Sequence, residues 1–286
     1  MPFHCHQSRI TALLIAAAAA LGSGGCVFDD FTDMAESFKQ VTPSEAARDM
    51  FNQDDPDVRR VGLTRLSNSP FGGGEPYVQA YRDFVAKETD PVVRGVAIQA
   101  LARHGSSGDA VLIASILADP EITDEKLRWS AALGLQRLHN VAVIRILLDT
   151  LLDDLAATQV RSAIARGLGQ YKEDRVIRGL LVVLAAPDLA VNISAKESLE
   201  ILTGKDFGLD ALAWQQWYDG VLSRRGQPFK RGVKYVYPTY RRDLVWFEHL
   251  TFWDTPVWEH PAPPIGSSWS VARRTYDDVA AEQAAP

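Results

Sequence analysis

Cysteine is almost missing from this chain: Cys5 and Cys26 are the only two in 286 residues. Processing before Cys26 would leave one cysteine, so no intramolecular disulfide could form and the fold must rest on burial. About 260 residues bury enough apolar surface for that. A basic excess is missing too. Thirty Lys and Arg stand against 36 Asp and Glu, for a formal net charge of -6 and a pI near 5.5. That argues against a general nucleic-acid binder, because neutralising a phosphate backbone takes clustered cations. The apolar run Ile10 to Leu21 is twelve residues, short of the roughly 20 that a membrane-spanning helix needs. Catalytic signatures are lacking as well. There is no His-Glu-x-x-His, no Gly-x-Ser-x-Gly and no P-loop pattern, so no catalytic residue and no cofactor is expected, and the chain reads as no enzyme.

What is present begins with an address. Arg9 is the one formal charge in residues 1–9; the apolar run follows, then Gly22, Ser23, Gly24 and Gly25 before Cys26. This is the layout of a secretory signal peptide over residues 1–25. Leu21, Gly24, Gly25 and Cys26 resemble the lipobox of bacterial lipoproteins, although Ser23 stands where that family usually has an aliphatic residue. The resemblance implies a diacylglyceryl group on the Cys26 sulfur and attachment to a bacterial cell membrane, inner or outer, with residues 26–42 as a linker. Ordinary cleavage nearby, releasing a soluble exported protein, is the alternative.

Five segments then align with one another. They run from Val58-Arg59 to Arg65-Leu66, Val93-Arg94 to Ala100-Leu101, Leu127-Arg128 to Gly134-Leu135, Val160-Arg161 to Gly167-Leu168, and Val191-Asn192 to Ser198-Leu199. On a helix of 3.6 residues per turn the aliphatic and small positions share one face, and the small residues admit a close neighbour. Asp55-Pro56 and Asp90-Pro91 place an N-cap acceptor before a proline at the first helical position; Thr123-Asp124, Thr158 and Asp188 offer similar caps. Second helical runs, Tyr77 to Ala86, Ala110 to Leu117, Val141 to Leu152 and Arg175 to Leu184, lie between the aligned segments. The unit is a helical hairpin. One hairpin cannot bury its apolar face alone, so stacked neighbours make the core.

Asp90 to Leu101, Asp-Pro-x-Val-Arg-x-x-Ala-x-x-Ala-Leu, resembles the second helix of HEAT repeats, in the short form first described in phycobilisome lyases. The expected fold is an all-α, HEAT-type solenoid of about five hairpins over residues 43–204. The resemblance implies a ladder of polar contacts between adjacent repeats, formed by Arg59, Arg94, Arg128 and Arg161 with Asp57, Asp90 and Asp124. Asn192 departs from the arginine column. Leu202 to Gly208, then Trp214 and Trp217, resembles a closing element found after such arrays, with Gly204 as a helix C-cap. Residues 205–223 thus read as a capping helix whose tryptophans cover the last repeat.

Gly72-Gly73-Gly74, between repeat helices, reads as a flexible turn. His104 and His139 stand at helix ends, where a cation suits the dipole. Glu248-His249 and Glu259-His260 repeat a pair, but zinc needs three or four converging ligands and the spacing enforces no convergence. HEAT-repeat iron hydroxylases carry His-Glu pairs on their repeats; both pairs here have the reverse order and lie outside the array. No metal is expected.

Residues 224–286 form a basic and aromatic extension. Between Val221 and Arg242 there are seven Lys and Arg and no acid, interleaved with Phe229, Tyr235, Tyr237 and Tyr240. This stretch either meets anionic headgroups or an acidic partner, or packs its aromatics on the solenoid. Leu244 to Trp258 should fold back on the array, and Asp277 to Pro286 reads as a frayed tail. The expected function is a membrane-anchored scaffold for a protein partner whose identity the sequence does not give, without catalysis. The alternative is an envelope polysaccharide-binding or accessory enzyme, with Trp246, Trp253 and Trp258 stacking on sugar faces.

Overall fold

The computed structural model describes residues 42–69, 72–230, 235–238, 240–241 and 258–259. All belong to one of the two compact units into which the chain divides, Thr42–Asp243 with Trp253–Pro286. Cys26 and the signal segment lie outside the described residues, as do Trp246 and Trp253.

Eleven α-helices are described: α1 Pro43–Met50, α2 Pro56–Asn68, α3 Glu75–Lys87, α4 Pro91–His104, α5 Ala110–Ala118, α6 Glu125–Leu135, α7 Ile144–Leu152, α8 Thr158–Leu168, α9 Asp174–Leu184, α10 Leu189–Thr203 and α11 Ala211–Ser223. Short 3-10 turns, Ser107–Asp109 and Val141–Val143, lead into α5 and α7. Consecutive pairs from α1–α2 to α9–α10 form five hairpins. Their first helices stack on one another from α3 to α9, and their second helices, α2, α4, α6, α8 and α10, stack in a parallel layer. The fold is therefore the all-α, HEAT-type solenoid that the repeats imply. No described helix is long and apolar enough to cross a membrane.

Local chemistry sets the helix starts. The carboxylates of Asp55, Asp90 and Asp188 each accept from two backbone N–H groups in the first turn, and Asp124 accepts from the Leu127 N–H. A cap of this type contributes about 1 kcal/mol. Thr158 differs from the sequence expectation: it is the first residue of α8 and caps nothing. Its hydroxyl instead donates to Asp188 Oδ2 at 2.7 Å, one hairpin further on.

Packing follows the register of the repeats. Leu66, Leu101, Leu135, Leu168 and Leu199 occupy the same position in successive second helices and are all fully buried, each stabilising the fold by about 1.5–3 kcal/mol. Side-chain amides and hydroxyls stitch neighbouring second helices together. Gln99 Nε2 donates to Ser130 O and Gln136 Nε2 to Ala163 O, both at 2.9 Å, while Ser198 Oγ donates to Ala165 O at 2.7 Å. These bonds satisfy buried polar groups that would otherwise be costly.

The arginine column works differently from the inter-repeat ladder implied by the family resemblance. Arg94 Nε donates to Val85 O, Arg128 to Ile122 O, and Arg161 Nε to Leu151 O with a second contact to Asp154, all inside the same hairpin. Asn192 repeats the pattern by donating to Ala186 O. Val85 and Leu151 carry last-turn carbonyls that lack intrahelical donors, whereas Ile122 and Ala186 offer carbonyls from the loop that follows the first helix, so each polar side chain finds its partner locally. Arg59 is the exception in the column. It bonds Asn52 O in its own hairpin and also forms a two-point ion pair with Glu88 of the next. Asp57 pairs with Arg60 on its own helix, while Asp90 and Asp124 act as caps.

The array ends as a cap. Gly204 closes α10 with φ 65°, a left-handed conformation that favours glycine. Trp214 of α11 is fully buried, donates its indole N–H to Gly208 O at 2.9 Å, and meets Phe207 edge-on at 5.0 Å. Beyond it, Phe229 packs against the core and the Lys230 N–H donates to Leu202 O. Tyr240–Arg241 and Trp258–Glu259 form a two-residue antiparallel ladder.

Candidate functional site

The second helices are parallel, and their outward positions line up across the repeats. Val93, Leu127 and Val160 face the core, so their N-terminal neighbours Val92, Lys126 and Gln159 face away. Between α2, α4 and α6 this outward surface sinks into a cleft of about 380 Å³. Val92, Gly95, Val96 and Ala100 of α4 give it an apolar wall; Thr64, Ser67 and Asn68 close it from α2; Asp124, Lys126 and Ser130 close it from α6. Along α4 it reaches from Val92 to Arg103, about 16 Å at 1.5 Å per residue.

The cations on this face have different surroundings. Arg60 is paired with Asp57 at 3.2 Å, and Arg166 with Glu197 at 3.4 Å. Arg103 is nearly buried at one end of the cleft and donates to Asn68 Oδ1. Lys126 is exposed at the opposite end and forms no ion pair among the described residues. Beside it on α6, Trp129 is 42% exposed, and Val92 across the cleft is 56% exposed. These residues were not singled out by motif. Their signal in the sequence is an apolar residue off the core face, as in Val92-Val93, where one position faces inward and its neighbour, 100° round the helix, must face out.

Other titratable groups serve the scaffold. Arg82 of α3 holds Asp109, before α5, at 2.7 Å, which joins two adjacent hairpins. Burial pushes the Asp109 carboxyl up, but the Arg82 guanidinium with the Ser106 N–H and hydroxyl outweighs it and holds the group below its ordinary value. His104 keeps a ring nitrogen 2.6 Å from Ser67 O. His139 departs from the expected helix-end cation: burial lowers its pKa, which favours the neutral ring. Gly72 to Gly74 form a turn, as expected, in which Gly72 is buried, Gly73 is exposed and Gly74 is the N-cap of α3.

The extension contributes packing where it is described. Phe229 sits on the core, and Tyr235 and Tyr237 meet edge-on at 5.0 Å with both rings half-buried. Burial raises the pKa of both, that of Tyr237 to about 12. Each of these aromatics is packed against protein on at least one side. The side chain of Trp258, like Trp246 and Trp253, lies outside the described residues, as do Glu248, His249 and His260. Among the described residues no group of three or more His, Cys, Asp or Glu is placed to hold a metal ion.

No family model matches this sequence, and no curated protein matches it. Among solved structures it is similar to human deoxyhypusine hydroxylase in complex with glycerol, with a TM-score of 0.38 and 16% identity over 57% of this chain and 74% of that one. That protein is an enzyme. The expectation that this chain is no enzyme rested on missing motifs alone, and this likeness to an enzyme does not support it; it assigns no activity either.

Proposed function

We propose that this chain is an exported, lipid-anchored docking scaffold, in which the face made by the second helices receives a segment of a partner protein. The observation that carries the reading is the cleft crossing α2, α4 and α6, which exists only because three repeats are stacked in register. Solenoids offer extended surfaces of this kind, and the cleft presents an apolar wall along α4 with Val92 exposed at its edge. An acylated Cys26 would hold the array at a membrane, since each buried methylene contributes about 0.8 kcal/mol. The negative net charge supports a partner other than nucleic acid.

The test is photo-crosslinking in intact cells from two solvent-facing positions, Val92 on the second-helix layer and Val182 on α9 of the first-helix layer, which is 61% exposed. A discrete protein adduct from position 92 and none from 182 is the expected result. An adduct from 182 alone would transfer docking to the other layer, and none from either would remove the scaffold reading.

A further inference from the structure

We infer that residues 235–238 are a pH-sensitive latch, closed over the Tyr171–His139 pair at neutral pH and released when His139 takes up a proton. Its seat is the edge of the array where one hairpin passes to the next. There Asn140 Nδ2 donates to Ser107 O at 3.1 Å and the Asn140 N–H donates to the Tyr171 hydroxyl at 3.3 Å, so the connections before α5, α7 and α9 are joined in a row. The extension continues that row. The Lys230 N–H donates to Leu202 O of α10, and Lys172 Nζ, next to Tyr171, donates to Lys230 O. Tyr235 and Tyr237 are half-buried while Val236 between them is 72% exposed, the alternation of an extended segment that turns both rings to the protein. Burial raises the pKa of Tyr171, and Tyr237 is close enough to add to that rise. Connections ordinarily run over the surface, so the 1% exposure of Tyr171 requires cover from its neighbours.

The trigger lies under that tyrosine. His139 meets the Tyr171 ring with centroids 4.8 Å apart, and its Nδ1 is buried with no hydrogen-bond partner among the described residues. A protonated ring would place a charged N–H there without an acceptor, which is costly. The charged and titratable groups on the elements packed around it do not supply one. Asp109 is held by Arg82, Glu173 by Arg175 and Glu197 by Arg166, Arg137 and Lys172 are themselves cations, and Tyr235 and Tyr237 keep their protons. Burial therefore lowers the His139 pKa and outweighs the opposite pull of its own carbonyl. Lifting the latch admits water to Tyr171 and the ring beneath it, so the open form accepts a proton more readily than the closed one. By linkage, protonation then favours opening. The closed form is favoured above the ordinary histidine value, near pH 6.5, and loses ground as pH falls through it. With the closed ring neutral throughout, the closed-to-open ratio drops about tenfold from pH 7.5 to 5.5.

Hydrogen–deuterium exchange of the full chain at pH 7.5 and 5.5, corrected for the intrinsic pH dependence of exchange, tests this. The expected result is that protection of the segment carrying Tyr235 and Tyr237 falls about tenfold at pH 5.5 while that of α4 holds, and that His139→Phe keeps the segment protected at both values. Free exchange of the segment at pH 7.5 would overturn the closed latch. Unchanged protection at pH 5.5, an equal loss in His139→Phe, or a parallel loss in α4 would overturn His139 as the trigger. An NMR titration of His139 in Tyr237→Ala gives the reciprocal measure and leaves the histidine in place. Its pKa should rise towards the ordinary value when the latch is weakened, and a value equal to the parent's would overturn the coupling.

Discussion

His139 stacks on the buried ring of Tyr171 with centroids 4.8 Å apart, and its pKa lies below the ordinary histidine value because burial penalises the charged form. The unfolded chain titrates near pH 6.5. As pH falls through that value the unfolded state binds a proton that the folded ring resists, so stability is present above it and declines below. Urea unfolding at pH 7.5 and 5.5 should therefore give a smaller loss for His139→Phe, which keeps the ring and removes the titration, than for the parent chain. Equal losses would mean that this ring is not the source. The position of His139 after the last turn of α6 was legible in the sequence. Its protonation preference was not, because it depends on Tyr171, which the next hairpin supplies.

Within the elements, the clearest constraint is the crossing of α1 and α2. A Cβ on Gly62 would lie 2.8 Å from Ala46 O and 2.7 Å from the Asp49 carbonyl carbon, while at Gly95 the nearest atom would be Ser130 Oγ at 3.3 Å, the end of a side chain able to turn. Gly→Ala inside a helix ordinarily gains up to about 1 kcal/mol. Gly95→Ala should be near neutral or stabilising. Gly62→Ala should lose about 1–3 kcal/mol, as overpacking does, because backbone must move to make room. Thermal unfolding of the two variants checks the opposite signs, and a gain at Gly62 would contradict the close crossing. Helix starts show the same division between local and distant causes. Asp55, Asp90 and Asp188 cap the residues that follow them, and those contacts can be read from adjacent letters. Thr158 looks like a cap in sequence, yet its hydroxyl is taken by Asp188, 30 residues away.

For the whole molecule, the anchor and the array make separable predictions. Cys26→Ser should move the chain from the membrane fraction to the soluble one, with helical content and unfolding temperature unchanged, since the capping box at Thr42 begins the array well after that residue. Membrane fractionation that does not respond would sink the lipid anchor and leave the solenoid intact. The sequence by itself determined the repeats, their register, the buried leucine column and the closing helix, because each follows from local spacing: 3.6 residues per turn, an acceptor before a proline, a glycine after the last turn. Only the tertiary structure decided that Arg94, Arg128 and Arg161 bond inside their own hairpins, that Phe229 is packed and that Tyr235 and Tyr237 are half-buried, and that a cleft opens between α2, α4 and α6. Those outcomes depend on which carbonyls, rings and faces the stacked neighbours leave free, and residues separated by a whole repeat carry no local sign of that.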